Sequence, residues 1–539
     1  MIMADWHAPQ GQFDIPDVPD WVPRRLKPWI FIFFVLIVQF SGGVYLAAAT
    51  DMVGTTALMQ EDILMAGYAS LIGMAINFAV MFRIKFRFSN RTQLLAAGIV
   101  LIAANMICAN IDSVPVLVVT CFVAGWFRMQ ATFACNSTIQ LWLTPVRDMS
   151  IFFCYVYIVV DGVIQLSGIA AIYTAFFSQW EYMQWIMIGL LALMMVLVLI
   201  LVKPVHAPMH IPLLGIDWIG AILWAGFMMC FTFICVYGNF YDWWDALEIR
   251  GAAFIGLLCM VINLWRASFL RHPYISFQAM RNGNVIRATA VYLVFFTLVA
   301  TEHVFEHSYA ANILGFDETN LIDLNWYVLA GIVAGCGFTY YTFALRKWRY
   351  KTMSAIGFAL AAAYLGYFYF LIDYGVEKEM LFVPLFFRGA ASVIISIVFL
   401  TSIVQSGLPF LVFPQALTIN GFTGAVMGAT LGPAIVGELL RHVMAKNASL
   451  LGSVITDFNP DTAHIPLQEL FGLVQTQALV VSMKEIFGWL LIVALLSLLI
   501  ILLSYSSLRP NAIFPKWKTV RRVLWHVVRM APVRGIARG

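Results

Sequence analysis

Long runs of apolar residues, separated by short polar segments, recur along the chain from residue 28 to residue 505. A helix needs about 20 residues to cross a hydrocarbon core of about 30 Å. The runs predict an all-α polytopic membrane protein. Its fourteen predicted segments lie near 28–50, 63–82, 93–109, 114–136, 151–176, 182–202, 216–238, 248–266, 285–309, 325–345, 353–373, 380–403, 411–440 and 485–505.

The composition excludes a soluble protein. Of 539 residues, 62% are hydrophobic and 11% are charged, whereas about a quarter of the residues of a soluble domain are charged. The 8 cysteines fall in apolar segments without C-x-x-C spacing, which indicates packing residues rather than a redox or zinc site. Basic residues do not gather into a patch, so nucleic acid is not an expected partner.

The charges alternate between the two predicted membrane faces. With the N-terminus inside, 25 of the 32 Lys and Arg residues fall in the cytoplasmic regions, while the opposite loops carry mainly acidic residues such as Asp51, Glu61 and Asp112. The positive-inside rule then predicts an even number of spans with both termini cytoplasmic.

One outside connection, 441–484, is much longer than the others and contains an apolar-periodic stretch at 467–479. Long loops usually have a function or lack fixed structure. Two interpretations stay open: an amphipathic helix resting on the membrane surface, and a docking element for an extracytoplasmic partner.

Six short motifs occur in order along most of the chain: Gly215–Gly220, Gly238–Trp243, Pro273–Asn284, Pro384–Gly389, Ser406–Pro409 and Gln477–Phe487. They resemble the fourteen-helix drug:proton antiporters of the major facilitator superfamily, the EmrB/QacA type. The resemblance implies the major facilitator fold, with two six-helix bundles, two additional helices and alternating access. On this basis the regions are a tail at 1–27, a bundle at 28–202, two additional helices at 203–266, a second bundle at 267–505 and a basic tail at 506–539.

The same resemblance implies a function. It predicts a secondary exporter, not an enzyme, that uses a proton gradient and no cofactor to move lipophilic compounds across a bacterial inner membrane. Gram-negative members of the EmrB branch work with a periplasmic adaptor and an outer-membrane channel, so both are expected partners besides the small lipophilic substrate and the lipid bilayer. The altered motifs described next suggest an alternative, a transporter of one dedicated metabolite.

The chain departs from the family at several positions. The Leu-Asp-x-Thr of helix one is replaced by Phe40, Ser41, Gly42 and Gly43, which removes the usual carboxylate. The segment 82–91 keeps the positive charges of the loop between helices two and three but loses its acid. Helix five loses the antiporter proline at 167–172, and Arg128 lies about one turn from the family position on helix four.

Charges at bilayer depth are the main candidates for function because each costs about 2.5–3.5 kcal/mol to insert. Glu302 and Glu306 are four residues apart on predicted helix nine, and so are His303 and His307. Because like charges this close do not all ionise easily, we expect the glutamates to carry the coupling proton, with the histidines as relays.

Two alternatives for this segment stay open. Helix nine could bend outward early, leaving the four residues solvated at its mouth. His303, Glu306 and His307 also spell the H-x-x-E-H of inverted zinc proteases, which would make the chain an intramembrane zinc enzyme. No third ligand occurs at a comparable spacing, so no metal is expected.

Other intramembrane residues complete the set of candidates. Asp161 is assigned to proton coupling and is expected to pair with Arg128, either as a structural ion pair or with a gating or substrate role. Arg388 is the second charge partner, for a helix-nine glutamate or an anionic substrate. Candidates for lining a substrate cavity are Gln165, Tyr292, Phe295, Phe296, Tyr340 and Tyr341. A stripe at Gly424, Gly428 and Gly432 is interpreted as close helix packing.

Overall fold

The computed structural model describes residues 15, 17–144, 148–205, 213, 215–304, 309–316, 318–373, 375–410, 412–454 and 466–503. Across these residues the regular structure is helical. The α-helices of the first half are α1 (Lys27–Phe40), α2 (Ala49–Thr55), α3 (Gln60–Asn77), α4 (Met81–Arg87), α5 (Asn90–Asn110), α6 (Val114–Leu143), α7 (Met149–Phe177), α8 (Glu181–Leu201), α9 (Trp218–Tyr237) and α10 (Leu247–Phe269). Those of the second half are α11 (Phe277–Met280), α12 (Gly283–Val299), α13 (Thr301–Val304), α14 (Glu318–Thr339), α15 (Tyr350–Leu371), α16 (Phe382–Val404), α17 (Phe413–Gly421), α18 (Gly428–Val454) and α19 (Leu467–Leu503).

The protein is a multi-pass membrane protein. Among the described residues, 11 helical stretches are long and apolar enough to cross a membrane, or up to 12 if α3 and α4, which meet at 66°, form one bent span. Two further apolar helices, α1 and α12, are shorter. The count of fourteen spans stays a prediction.

The helices pack around two main hydrophobic cores. One core is formed by residues between Ile15 and Val202, and the other draws most of its members from the chain after Tyr274. Helix α7 packs against α14 and α16, and α3 packs against α17 and the π-helical segment Phe422–Met427, so these helices form the interface between the two bundles. Helices α9 and α10 pack as a pair, and α9 also contacts α3.

The first predicted segment is not one continuous helix. Helix α1 ends at Phe40, and a short 3₁₀ turn at Leu46–Ala48 leads into α2. Gly43 has φ +83°, a conformation that L side chains rarely adopt, and its added Cβ would lie 3.2 Å from the Cys121 sulfur. The left-handed backbone at Gly43 therefore lies within the break between α1 and α2.

The long outside connection is mostly helical. Helix α18 continues to Val454 and α19 begins at Leu467, so the two form an antiparallel hairpin. Lys446 pairs with Glu485 at 2.8 Å, and the Asn447 amide donates to the Ser482 hydroxyl at 2.9 Å. At 1.5 Å per residue, the 37 residues of α19 span about 55 Å, well beyond a hydrocarbon core of about 30 Å. We name residues 438–454 and 467–485 the outer hairpin.

The glycine stripe is a packing surface, as predicted. A Cβ added at Gly424 would lie 2.2 Å from the Tyr292 ring, one at Gly428 would lie 2.8 Å from the Phe296 ring, and one at Gly432 would lie 2.5 Å from the Ala300 Cβ. These glycines let the backbones of α18 and α12 approach closely.

Candidate functional site

A buried ion pair joins two helices of the second bundle. Glu302 on α13 accepts from the Arg388 guanidinium on α16, with Oε1 and Nη2 3.1 Å apart. The Arg388 side chain is 3% exposed and that of Glu302 is 32% exposed. The carboxylate is therefore the partner that water or another molecule can reach, while the arginine is held in the protein.

Hydroxyl groups surround this ion pair. The Tyr364 hydroxyl lies 3.0 Å from that of Thr301, the residue before Glu302, and interacts with the Arg388 guanidinium. Tyr68 of α3 lies within electrostatic range of Glu302, and it comes from the first bundle. The site therefore lies where the two bundles face each other, so a change in the ion pair affects both bundles.

The rest of the predicted glutamate and histidine pattern is only partly described. Glu306 and His307 lie outside the described residues, and so does the side chain of His303. Helix α12 ends at Val299 and Glu302 lies on the separate helix α13, so the expected single helix over 285–309 is wrong. Among the described residues no cluster of three or more His, Cys, Asp or Glu could hold a metal ion.

Asp161 forms a second acidic position at the bundle interface. It is half-buried on α7, and its electrostatic neighbours are Tyr157, Tyr292 and Cys336. The Tyr292 hydroxyl of α12 lies 2.9 Å from that of Ser396 on α16, and Tyr157 of α7 interacts with both. Within the described part of the chain, Asp161 has neither a hydrogen bond nor a cationic partner.

The expected Asp161–Arg128 pair does not form. Arg128 is buried in the first bundle, and it donates to the Gln39 side-chain oxygen at 3.2 Å and to the Gln39 carbonyl at 2.5 Å. Its guanidinium therefore donates hydrogen bonds to acceptors at the end of α1, next to the helix break. Spacing along the sequence predicts that Arg128 and Asp161 lie at similar depth in the membrane. It does not predict on which side of its helix each residue lies.

Sequence reasoning missed the polar network around the break in helix one. The Asn105 amide donates to the Ser41 hydroxyl at 2.8 Å, and the Gln184 amide donates to the Gly43 carbonyl at 2.8 Å. These side chains replace the backbone hydrogen bonds that a continuous helix would make. The sequence signal that could have revealed this network is the presence of Asn and Gln within apolar segments.

The predicted cavity aromatics lie in three different places. Tyr292 lies at the bundle interface, whereas Phe295 is fully buried beside Phe358 in the second core, with Phe296 next to it. Tyr340 and Tyr341 are exposed on the π-helical segment Tyr340–Leu345, where Arg346 lies over the Tyr341 ring. Gln165 lies half-buried one turn after Asp161.

Lys85, Lys203 and Lys347 lie at one face of the protein, which we name the basic face. At this face a cluster of aromatic side chains closes the space between the two bundles. The Phe82 ring is 4.9 Å from that of Phe133 and 5.0 Å from that of Phe410, which belongs to the second bundle. Phe86 and Phe413 extend the cluster. We name Phe82, Phe86, Phe133, Phe410 and Phe413 the aromatic gate.

Polar contacts reinforce the same closure. Lys347 of the second bundle pairs with Asp148 at the start of α7, and the Tyr274 hydroxyl donates to the Ile76 carbonyl. Burial raises the pKa of Asp148, but hydrogen bonds from Lys347 and Ser150 outweigh burial and hold this pKa below the ordinary value. The pair is therefore ionised above about pH 4 and is lost only as the pH falls below that, so it does not exchange protons near neutrality.

Contacts at the opposite face involve the additional helix pair. The Trp243 indole between α9 and α10 donates to Glu438 of α18 at 2.8 Å, and Arg441 pairs with Asp242 at 2.8 Å. The additional pair is thus tied to the base of the outer hairpin.

No protein-family model matches the sequence, and no curated protein matches it by sequence. Solved structures match its fold. A structure of proton dependent oligopeptide transporters is 12% identical with a TM-score of 0.57, covering 88% of this chain and 97% of that chain. A mutant of the peptide transporter POT with sulfate is 13% identical with a TM-score of 0.53, covering 88% and 95%. A mutant of the nucleoside transporter NupG is 12% identical with a TM-score of 0.51, covering 87% and 99%. The chain therefore shares its fold with these peptide and nucleoside transporters.

Proposed function

We propose that the protein is a proton-coupled exporter of lipophilic or amphipathic compounds, and that the Glu302–Arg388 pair is its coupling site. The observation that carries the proposal is the asymmetry of this pair, a reachable carboxylate held by a buried arginine at the bundle interface. The fold shared with transporters supports a transport function. The resemblance of the six motifs to drug:proton antiporters supports export as its direction.

The pair offers a physical route from protonation to movement. A proton on Glu302 removes the negative charge of the ion pair with Arg388, and breaking an ion pair to a buried arginine is unfavourable by several kcal/mol. The bundles then gain free energy by moving to a state in which Arg388 meets water or another anion. One proton crossing 100 mV supplies about 2.3 kcal/mol, which supports tens-fold accumulation of substrate.

The experiment is transport by the full chain in proteoliposomes. With a pH gradient imposed, we expect movement of a lipophilic cationic dye against its gradient, which collapses when a protonophore is added. Dipeptides and nucleosides, tested in the same vesicles, should not be moved. Gradient-driven movement of a dipeptide or nucleoside without dye movement would instead support the dedicated metabolite transporter, and movement of none would contradict the proposal.

We further propose that the outer hairpin docks a periplasmic adaptor that passes substrate to an outer-membrane channel, with the basic face cytoplasmic in a bacterial inner membrane. Two facts support this partner: α19 is longer than a bilayer is thick, and the outer hairpin exposes Leu450 on α18 and Phe471 and Leu473 on α19. Exposed apolar side chains on a water-facing helix commonly mark an interaction surface.

The docking proposal predicts that one substitution lowers drug resistance in cells without changing transport by the purified protein. Phe471→Glu places a charge on the apolar surface, so drug resistance of cells should fall about tenfold, whereas dye transport in proteoliposomes should be unchanged. Gln475→Glu adds the same charge at an exposed polar position and is the matched control. Full resistance with Phe471→Glu would rule out docking through this surface.

A further inference from the structure

The segment that precedes α1 is packed into the first bundle. Ile15, Val18 and Val22 are buried members of the first hydrophobic core. The Asp17 carbonyl accepts from the Lys203 backbone amide at 2.7 Å, and Asp20 pairs with the Lys203 ammonium at 3.2 Å. We name residues 17–26 the N-terminal strap, which lies across the basic face of the first bundle.

Asp17 is the polar centre of this packing. Its buried carboxylate accepts from the Asn90 amide and lies within electrostatic range of Lys85. The Lys85 ammonium in turn donates to the Asn90 side-chain oxygen and to the Ala134 carbonyl at 2.9 Å, and Asn90 also donates to Thr138 at 3.0 Å. One chain of contacts therefore links the strap to α4, α5 and α6.

Helix α4 connects this chain of contacts to the aromatic gate. Lys85 lies on the same seven-residue helix as Phe82 and Phe86, whose rings contact Phe410 of the second bundle. Helix α4 turns away from α3 by 66°, so it depends on side-chain contacts for its position. A seven-residue helix is too short to be stable alone. The contacts of Lys85 hold the element that carries one half of the gate.

We propose that Asp17 is a positioning residue of the basic-face gate, which supplies from the N-terminal strap the carboxylate that segment 82–91 lacks. The role of Asp17 in transport rests on the proposed function, whereas its position rests on the contacts described above. Arg83, Lys85, Arg87 and Arg91 leave that segment strongly positive. The buried carboxylate offsets this charge, and through Asn90 and Lys85 it keeps Phe82 and Phe86 against Phe410.

The test measures the gate without transport. Spin labels at Phe88→Cys, directly after α4, and Arg349→Cys on the second bundle, both exposed in the wild type, report the distance between the bundles at the basic face. Asp17→Asn removes the carboxylate's charge with little change in size. We expect the ratio of long-distance to short-distance populations to rise about tenfold, the change that ~1.4 kcal/mol produces.

Two comparisons make the result specific. Asp20→Asn removes the same charge from the same strap, but Asp20 is 89% exposed, so the distance distribution should not change. Lys85→Gln interrupts the contacts from the other end and should open the gate as Asp17→Asn does. If both act through one chain of contacts, the double variant should open the gate no further than either single variant.

Other results would overturn the proposal. A lower unfolding temperature in Asp17→Asn with an unchanged distance distribution would leave Asp17 only a stabilising role. Equal opening in Asp20→Asn, or additive opening in the double variant, would contradict the specific route through Lys85. If Asp17→Asn does not fold, Lys85→Gln decides by the same distances. Because no gradient or substrate is used, failure of proton coupling would leave this measurement unaffected.

Discussion

Replacing Glu302 with Gln is expected to abolish gradient-driven dye transport and to leave downhill exchange of dye between vesicle interior and medium. Glutamine keeps an oxygen that can accept from Arg388 but cannot take up a proton. The tens-fold accumulation that a pH gradient equivalent to about 100 mV supports should therefore fall to equal concentrations on both sides. The measurement is dye accumulation in proteoliposomes with an imposed pH gradient, compared with dye exchange at equal pH.

The same substitution should also lower stability. The neutral glutamine would remove the carboxylate that pairs with the buried Arg388. Breaking a fully buried ion pair costs about 3–5 kcal/mol, a value reduced here because Glu302 is partly exposed. Thermal unfolding in detergent measures this. The double variant Glu302→Gln with Arg388→Met should regain stability without regaining coupled transport.

A matched control is Asp323→Asn. Asp323 is more exposed than Glu302 and pairs with Lys378 in the same bundle, so its replacement removes an equal charge from a surface ion pair. Surface pairs contribute about 0–1 kcal/mol. Coupled transport should be normal in this variant. Normal accumulation by Glu302→Gln would exclude Glu302 as the coupling group while leaving the fold intact.

The second large effect is expected at Asp161, with the opposite sign for stability. Asp161→Asn should abolish gradient-driven transport, because a carboxylate at the bundle interface that can take up a proton is lost. It should leave the unfolding free energy unchanged or raise it by up to about 2 kcal/mol, since a half-buried acid without a cationic partner among the described residues is unfavourable.

The two measurements together separate a functional acid from a structural one. Asp161→Asn and Glu302→Gln should both fail in accumulation, yet only the second should unfold at lower temperature. Gln165→Leu, one turn along α7, is the local control because it removes a polar group without a charge. A strong loss of stability in Asp161→Asn would instead indicate that Asp161 has a structural ionic partner.

The apolar runs determined that the protein is an all-α membrane protein and located most of its helices, because each helix must cover about the thickness of the bilayer with apolar side chains. It also identified Asp161, Glu302, Arg128 and Arg388 as unusual, since charge at that depth is unfavourable in any arrangement.

Only the tertiary structure decided the partners of those charges. Depth along a helix follows from counting residues, whereas the direction of a side chain depends on how helices rotate against each other. Arg388 therefore meets Glu302, Arg128 meets Gln39 and not Asp161, and Asp161 faces the other bundle. Likewise, Asp17 meets Asn90 of α5, which is distant in sequence, because the strap packs against the first bundle.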